Sequence, residues 1–194
     1  KVPRRASLEV DGVSADVQVD GIAGAKELDV ESVSGDVEVQ GDAERVEVSS
    51  VSGDARVTSN TKRARLETVS GDLTARGVSG SLSAESVSGR MTLEAASLDD
   101  ADLSTVSGDV ELEVGAITGG RVRVESMSGE VSLTVPASLS ARIEAETFSG
   151  KIRSDFGNVE DGDGPGSHLK ATAGKGDAEV SLESFSGDLT IRRK

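Results

Sequence analysis

Acidic side chains recur at one position of a short repeated motif, and their spacing is suited to binding a cation. The motif reads SVSGDVEV at residues 32–39 and occurs in nine variants along the chain. If strands carrying the motif stack, the column Asp16-Asp36-Asp54-Asp72 places like charges about 5 Å apart. Their mutual repulsion is about 1 kcal/mol per pair in water, and a calcium ion would relieve it. The first chemistry to consider is therefore calcium binding.

A Gly-rich and acidic segment near the C-terminus offers a second set of oxygen ligands. It reads SDFGNVEDGDGPGSH at residues 154–168. Its candidate metal ligands are Asp155, Asn158, Glu160, Asp161 and Asp163. No EF-hand fits, because counting from Asp161 puts Pro165 at position five and Thr172 at position twelve. The nonapeptide of calcium-binding β-rolls is also absent. Calcium binding stays an alternative, solvated carboxylates are favoured, and no cofactor is predicted.

Catalysis requires residue types in which this chain is poor. It has no Cys, Tyr or Trp, and His168 is its one histidine. Nine equivalent motif serines cannot each have a base, since only His168 could serve one of them. Carboxylate pairs could in principle hydrolyse polysaccharides, so an enzyme of that class stays a minor alternative. We predict a protein without enzymatic activity and assign no catalytic or cofactor-binding residue.

Charge and hydropathy argue against nucleic-acid binding and against a transmembrane helix in this chain. The formal net charge is −14, with 35 acidic and 21 basic residues, and this argues against contacts with nucleic-acid phosphates. No run approaches the roughly 20 apolar residues of a transmembrane helix. Basic clusters lie at the two ends, and we interpret Arg192, Arg193 and Lys194 as charges that protect an exposed strand edge.

The motif repeats at intervals that define a structural unit. Counted from its second Ser, the intervals are 20, 18, 18, 18, 19, 21, 21 and 37 residues. The flanking residues alternate with period two, which is typical of strands with one buried face. A unit holding two short strands buries its inner face only by stacking on the next unit in parallel ladders. The sequence predicts an all-β, single-domain β-solenoid over residues 1–194, with about nine rungs of 18–21 residues and a loop insertion at about 154–168.

Each motif is interpreted as a tight corner of the solenoid, with Gly free to adopt positive φ and Ser bonding nearby backbone. The predicted structural turn ladder consists of Ser34, Gly35, Asp36, Ser52, Gly53, Asp54, Ser70, Gly71, Asp72, Ser107, Gly108, Asp109, Ser186, Gly187 and Asp188. We expect the apolar residue before each motif serine to stack inside the corner. This column is Val13, Val33, Val51, Val69, Val87, Val106, Met127, Phe148 and Phe185.

The repeated Val-Ser-Gly-Asp-Val unit resembles the bacterial putative-adhesin β-strand-repeat domains, also called toastrack domains. The stretches SLTVPASLSARIEAETFSG (132–150) and AGKGDAEVSLESFSGDLTI (173–191) are similar as well. The resemblance implies a β-solenoid that is secreted or attached to the cell envelope and often linked to envelope stress. It provides no catalytic residues that could be assigned to this chain.

Taken together, these features predict a structural or interaction solenoid outside the cytoplasm, acting as a scaffold, spacer or protein-docking surface. A protein partner or self-association is expected, and nucleic acid is not. A calcium-binding or self-assembling surface protein is the alternative. A signal or anchor is expected to have been removed before Lys1.

Overall fold

Alternating inward and outward residues make almost the whole chain fold as β-strand. The computed structural model describes residues 6–161 and 166–194. No helix that could cross a membrane occurs within these residues. The first nine strands are β1 (Ser7–Gly12), β2 (Val17–Ser34), β3 (Val37–Ser52), β4 (Ala55–Ser70), β5 (Leu73–Ser88), β6 (Met91–Ser107), β7 (Val110–Val114), β8 (Ile117–Ser128) and β9 (Val131–Val135). The others are β10 (Ala141–Ser149), β11 (Ile152–Ser154), β12 (Glu160–Asp161), β13 (Ser167–Ala173), β14 (Ala178–Ser186) and β15 (Leu189–Arg193).

The strands form a β-solenoid whose neighbouring turns pair in parallel. Strands β2 to β6 each run through a complete turn and pair in parallel with the next turn, with bulges where the chain bends between the motif corners. The all-β solenoid predicted from the repeat is confirmed. It has about seven turns, slightly fewer than the nine rungs predicted.

The last two copies of the repeat are stacked in the reverse of their sequence order. Strand β14 lies between β8 and β10, and β15 lies between β9 and β11. Simple stacking of each unit on the previous one is therefore wrong at this end. Pro136 cannot donate to the ladder, so β9 ends there, and the connection to β10 leaves one strand position for the returning chain.

Because β15 enters the stack, the C-terminal cations do not have the role predicted from the sequence. Strand β15 pairs on one side with β9 and on the other with β11, so Arg192 and Arg193 do not protect a free edge. Beyond β10 the stack is covered by the antiparallel strand β13, which pairs with β12. The long insertion thus supplies both the covering strands and the connection that allows the C-terminal strands to enter the stack.

The core is aliphatic, as the scarcity of aromatic residues predicts. Leu66, Leu93 and Leu103 are fully buried. Leu66 lies between Val48 and Ala84 of the neighbouring turns. The two inner faces of each turn pack together along the length of the solenoid and form one continuous hydrophobic cluster. Burial of this apolar surface stabilises the stack, since a single turn has no neighbour to cover its inner face.

The motif corners stack so closely that they require glycine. At Gly53 φ is +112°, and a Cβ would lie 2.3 Å from the carbonyl oxygen of Gly35 in the preceding turn. At Gly71 φ is +121°, and the corresponding distance to the oxygen of Gly53 is 2.2 Å. Both the positive φ and the contact between corners exclude a side chain.

Candidate interaction groove

The column predicted to stack inside the corners lies on the outside of the solenoid. Thr68 is buried, and strand alternation then directs Val69 outward, where 47% of its surface is exposed. The alternation changes only after Val69, because the chain first turns through Ser70 to Asp72. The inward placement is wrong because it puts the parity change one residue too early.

We call this column the apolar ridge. In stacking order its members are Val13, Val33, Val51, Val69, Val87, Val106, Met127, Phe185 and Phe148. They include every large hydrophobic side chain that is exposed in the described residues. Scattered exposed apolar residues are ordinary on protein surfaces, but an unbroken row is typical of an interaction site.

The ridge ends in two aromatic rings. Phe148 and Phe185 stack with their centroids 5.1 Å apart and their planes at 8°. Because β14 pairs with both β8 and β10, the Phe185 turn lies between those of Met127 and Phe148. Aromatic side chains are the strongest anchors in protein interfaces, so this end of the ridge offers the largest contact surface.

An acidic column runs parallel to the ridge, two residues earlier on each strand. We call it the acidic wall. In stacking order it consists of Asp11, Glu31, Ser49, Glu67, Glu85, Ser104, Glu125, Glu183 and Glu146. Seven of these nine positions are acidic. Residues i and i+2 of a strand share a face and lie about 7 Å apart, so the wall and the ridge face one continuous channel.

The channel between wall and ridge is the groove. Its valine half, along Val13 to Val106, has a volume of about 560 Å³. Its aromatic half, around Met127, Phe185 and Phe148, has a volume of about 720 Å³. Both halves include Ser86, Ser104 and Val106, so the groove continues without a break along the solenoid.

A column of small hydroxyl residues forms the groove's base, between wall and ridge. Its members are Ser32, Ser50, Thr68, Ser86, Thr105, Ser126, Ser184 and Thr147, all of them buried. Thr147 donates its hydroxyl hydrogen to the carbonyl of Gly187 at 3.1 Å. The hydroxyls of the other seven have no protein partner within the described residues. Because these side chains face the core, the outer surface of the base is strand backbone, which lies below the outward Glu and Val side chains.

Part of the acidic wall is neutralised by neighbouring cations. Arg65 lies 2.7 Å from Glu67, and Arg123 pairs with Glu125. The hydrogen bond and charge of Glu67 raise the pKa of Arg65, with smaller contributions from Glu47 and Glu85. In the described part of the chain, Asp11, Glu31 and Glu85 form no ion pair. Among the described residues, the acidic wall of the valine half therefore has three carboxylates without an ion pair.

The turn ladder follows the ridge on its other side. The hydroxyl of Ser70 donates to the carbonyl of Val51 at 3.2 Å, and Ser34, Ser52 and Ser88 make the corresponding bonds to their neighbours. These bonds fix the backbone of each ridge residue to the next turn. The sequence motif is thus the element that aligns the ridge.

The acidic residues of the motif also bond from turn to turn. The backbone N–H of Asp54 donates to the Asp36 carboxylate at 2.9 Å, and that of Asp72 donates to Asp54 at 3.0 Å. Equivalent acceptors are Asp16, Asp109 and Asp188. Lys151 needs no carboxylate, because its corner is the last of the stacked motif corners, and its own backbone N–H donates to the Asp188 carboxylate. Hydrogen bonding to the backbone gives these aspartates a structural role without a metal.

The structure also brings one set of possible metal ligands together at the end of the stack. Within residues 6–161 and 166–194 the only such group is Glu144, Glu146 and His168, whose ligand atoms lie within 4.8 Å of one another. All three already have partners, since Lys170 lies 2.8 Å from Glu144 and His168 lies 2.8 Å from Glu146. The hydrogen bond from Lys170 lowers the pKa of Glu144. The arrangement is that of a cross-strand ion-pair network.

Of the loop candidates from the sequence, Asp155 is not part of that group. The Asp155 carboxylate accepts the backbone N–H of Arg193 at 2.9 Å, which ties the loop to β15. Glu160 and Asp161 form β12, and Asn158 precedes it. Asp163 lies outside the described residues. Calcium binding by this loop stays a prediction.

The fold and groove together define a β-solenoid with a lateral surface suited to binding. The sequence profile of the family described as Toastrack DUF4097 matches residues 2–192, nearly the whole chain. The protein belongs to this family, as the Val-Ser-Gly-Asp-Val resemblance indicated. No curated protein and no solved structure gives a significant match.

The sequence indicates that both columns are periodic, but it predicts the wrong side for one of them. Glu67 and Glu85 of the acidic wall are in register, whereas Glu47 pairs with Arg65 in a neighbouring column. The sequence does contain one usable sign, which is the small Ser or Thr before each ridge residue. The corner encloses so little space that only a small side chain fits inside it, and the larger Val that follows faces outward.

Proposed function

We propose that this toastrack domain is a non-enzymatic docking scaffold that binds a protein partner along its groove. The observation that carries the proposal is the concentration of all nine exposed large hydrophobic side chains of the described residues in the apolar ridge. A solenoid that served only as a spacer would gain nothing from such a row, and its solubility would be lower for it.

The rigidity of the solenoid supports the same function. From β2 onward, each strand beneath the groove pairs with neighbours on both sides, and the serine hydroxyls and aspartate carboxylates of the corners add further bonds between turns. A preorganised surface loses little conformational entropy on binding. The proposed site therefore needs no ordering step before a partner can bind.

The chemistry of the groove supports binding over catalysis. His168 is the only imidazole, and it pairs with Glu146 at 2.8 Å. No serine hydroxyl in the described residues forms a hydrogen bond with it. Toastrack solenoids are typically non-enzymatic, and this supports a binding role.

We place this scaffold outside the cytoplasm, in the bacterial cell envelope, on the strength of the family resemblance. An envelope protein is then the expected partner. An acidic surface would be repelled by anionic lipid head groups, so the groove itself favours a protein over the membrane surface.

Site-specific photo-cross-linking in the native cell tests the proposal. A photoreactive amino acid replaces Val69 in the ridge, and in a matched control it replaces Glu38, which is exposed on the other face of the turn. We expect one discrete cross-linked partner from position 69 and none from position 38. Equal cross-linking from both positions, or none from position 69, would contradict docking along the groove.

A further inference from the structure

We infer that the groove recognises a cationic amphipathic helix of its partner, with apolar residues on the ridge and Lys or Arg side chains on the acidic wall. This inference rests on the proposed docking function and names the chemistry of the partner. Three properties of the groove support it: its unpaired charges, its backbone groups that are already hydrogen-bonded between strands, and its repeat distance.

The charge of the groove selects a basic partner. Asp11, Glu31 and Glu85 have no ion pair among the described residues, and they lie along the valine half. Arg65, a cation beside this stretch, lies between the carboxylates of Glu47 and Glu67, so the local balance stays negative. Opposite charges across an interface favour association and exclude partners of like charge.

The same charge argues against a second copy as the occupant. The chain has a formal net charge of −14, and two facing grooves would bring seven acidic wall positions against seven others. Like charges facing one another across an interface cost free energy and oppose association. Self-association along the groove is therefore disfavoured.

The backbone of the groove argues against an extended peptide. Ser49 and Ser50 pair in register with β2 on one side and with β4 on the other. From β2 onward, the strands beneath the groove therefore offer no free edge for strand addition, and an extended peptide would lie there with its own backbone groups unpaired. A helix satisfies its backbone internally and needs only side-chain contacts.

The repeat distance of the groove also suits a helix. Parallel strands are spaced by about 4.8 Å, and one helical turn rises 5.4 Å. Over three turns the difference is about 2 Å, which flexible Lys and Leu side chains can absorb. The valine half spans six strands, or about 24 Å, and this matches a helix of about 16 residues.

The neighbouring columns of the groove match the two stripes of such a helix. Wall and ridge lie about 7 Å apart, since they are two residues apart on each strand. On a helix, apolar residues at i, i+3, i+4 and i+7 form one stripe, and basic residues beside it form another. The apolar stripe then covers Val51, Val69 and Val87 while the basic stripe reaches Glu31 and Glu85.

Binding of a designed peptide to the full 194-residue chain tests the inference. The probe is a fluorescein-labelled 18-residue peptide of Leu and Lys, with Leu at i, i+3, i+4 and i+7, followed by fluorescence anisotropy. One control peptide has the same composition in scrambled order, and another has Glu in place of Lys. We expect measurable affinity for the amphipathic cationic peptide, at least tenfold weaker binding of both controls, and loss of affinity as salt is raised.

Three variants locate the binding. E31Q/E85Q removes two of the three unpaired wall charges. V51T/V69T/V87T removes apolar contact while it preserves side-chain shape and strand propensity. E38Q/E111Q makes the same change of charge on the other face, where both side chains are exposed. We expect the first two variants to bind about tenfold more weakly and the third to stay within twofold of the parent. Circular dichroism checks that each variant folds.

The outcomes separate the inference from the function on which it rests. Equal weakening by E38Q/E111Q, or equally tight binding of the scrambled peptide, would overturn the helix-in-groove inference. If the native partner still cross-links at position 69, the docking function stands and the partner's chemistry is different. If neither the peptide nor a native partner binds at the ridge, both proposals fail.

Discussion

Phe148 and Phe185 stack face to face on the outer surface of the solenoid, with their ring centroids 5.1 Å apart. The contact depends on β14 pairing with β10, and β14 also pairs with β8 on its other edge. The stacked rings form the aromatic end of the groove. They lie side by side because β14 and β10 are neighbours in the unusual strand order. That order has a direct test.

Engineered cysteines distinguish the observed strand order from stacking in sequence order. Glu125 and Glu183 are in register on neighbouring strands, at a spacing that a disulfide can bridge. Glu146 lies one strand further, about 10 Å from Glu125. We expect E125C/E183C to form a disulfide on mild oxidation and E125C/E146C to stay reduced, as measured by gel mobility. The chain has no native cysteine to interfere. Efficient bridging of positions 125 and 146 would show that the copies stack in sequence order.

Glycine at the corners is required by the contact between turns. We expect G71A to lower the free energy of unfolding by about 3 kcal/mol, because it combines backbone strain with a Cβ 2.2 Å from the Gly53 oxygen. G119A is the matched control, since Gly119 also has positive φ but a Cβ added there would meet no atom within 4 Å. It should lose only about 1 kcal/mol. Urea denaturation measures both, and equal losses would mean that the close stacking of corners contributes nothing.

The motif aspartates are expected to act as hydrogen-bond acceptors. Asp36 accepts the backbone N–H of Asp54 and forms no ion pair in the described part of the chain. D36A leaves that N–H without a partner and should lower stability by about 1 to 2 kcal/mol. D36N keeps an oxygen at the same place and should lose less than half as much. Thermal unfolding compares the two, and an equal loss in D36N would show that charge matters more than the hydrogen bond.

Acid should weaken the corner formed by Asp188. The backbone N–H of Lys151 and, to a smaller extent, Arg153 lower the pKa of Asp188 below its ordinary value of 3.8. A carboxylate with a lowered folded-state pKa stabilises the fold above its unfolded pKa, and this contribution is lost as the pH falls through the folded pKa. We expect the melting temperature to fall below about pH 5 and to fall less steeply in D188N. An unchanged slope in D188N would mean that other carboxylates dominate.

The sequence predicts the solenoid because its evidence is repeated nine times, in the spacing of the motif and in the alternation of Val46 and Val48 with polar residues. It could not predict the order of the last two turns. Strands β10 and β14 carry the same pattern, and only the length and course of the insertion decide which of them lies next to β8.

The groove was predictable only in part, for a reason that Thr68 and Val69 illustrate. Alternation shows that the two residues face opposite sides, but a corner can absorb the change of side at either of two neighbouring bonds. The structure places the small hydroxyl residue inside and the valine outside. Hydrophobicity alone favours the reverse arrangement, because it takes no account of how little space the corner encloses.

The outward direction of the apolar ridge underlies both proposals, and thiol labelling tests it most directly. V69C and T68C are prepared in the cysteine-free chain, and their reaction with a water-soluble maleimide is followed under native conditions. Val69 is 47% exposed and Thr68 is 4% exposed, so V69C should react at nearly the rate of the unfolded protein while T68C is strongly protected. Protection of V69C together with rapid labelling of T68C would place the ridge inside the corner and contradict the groove.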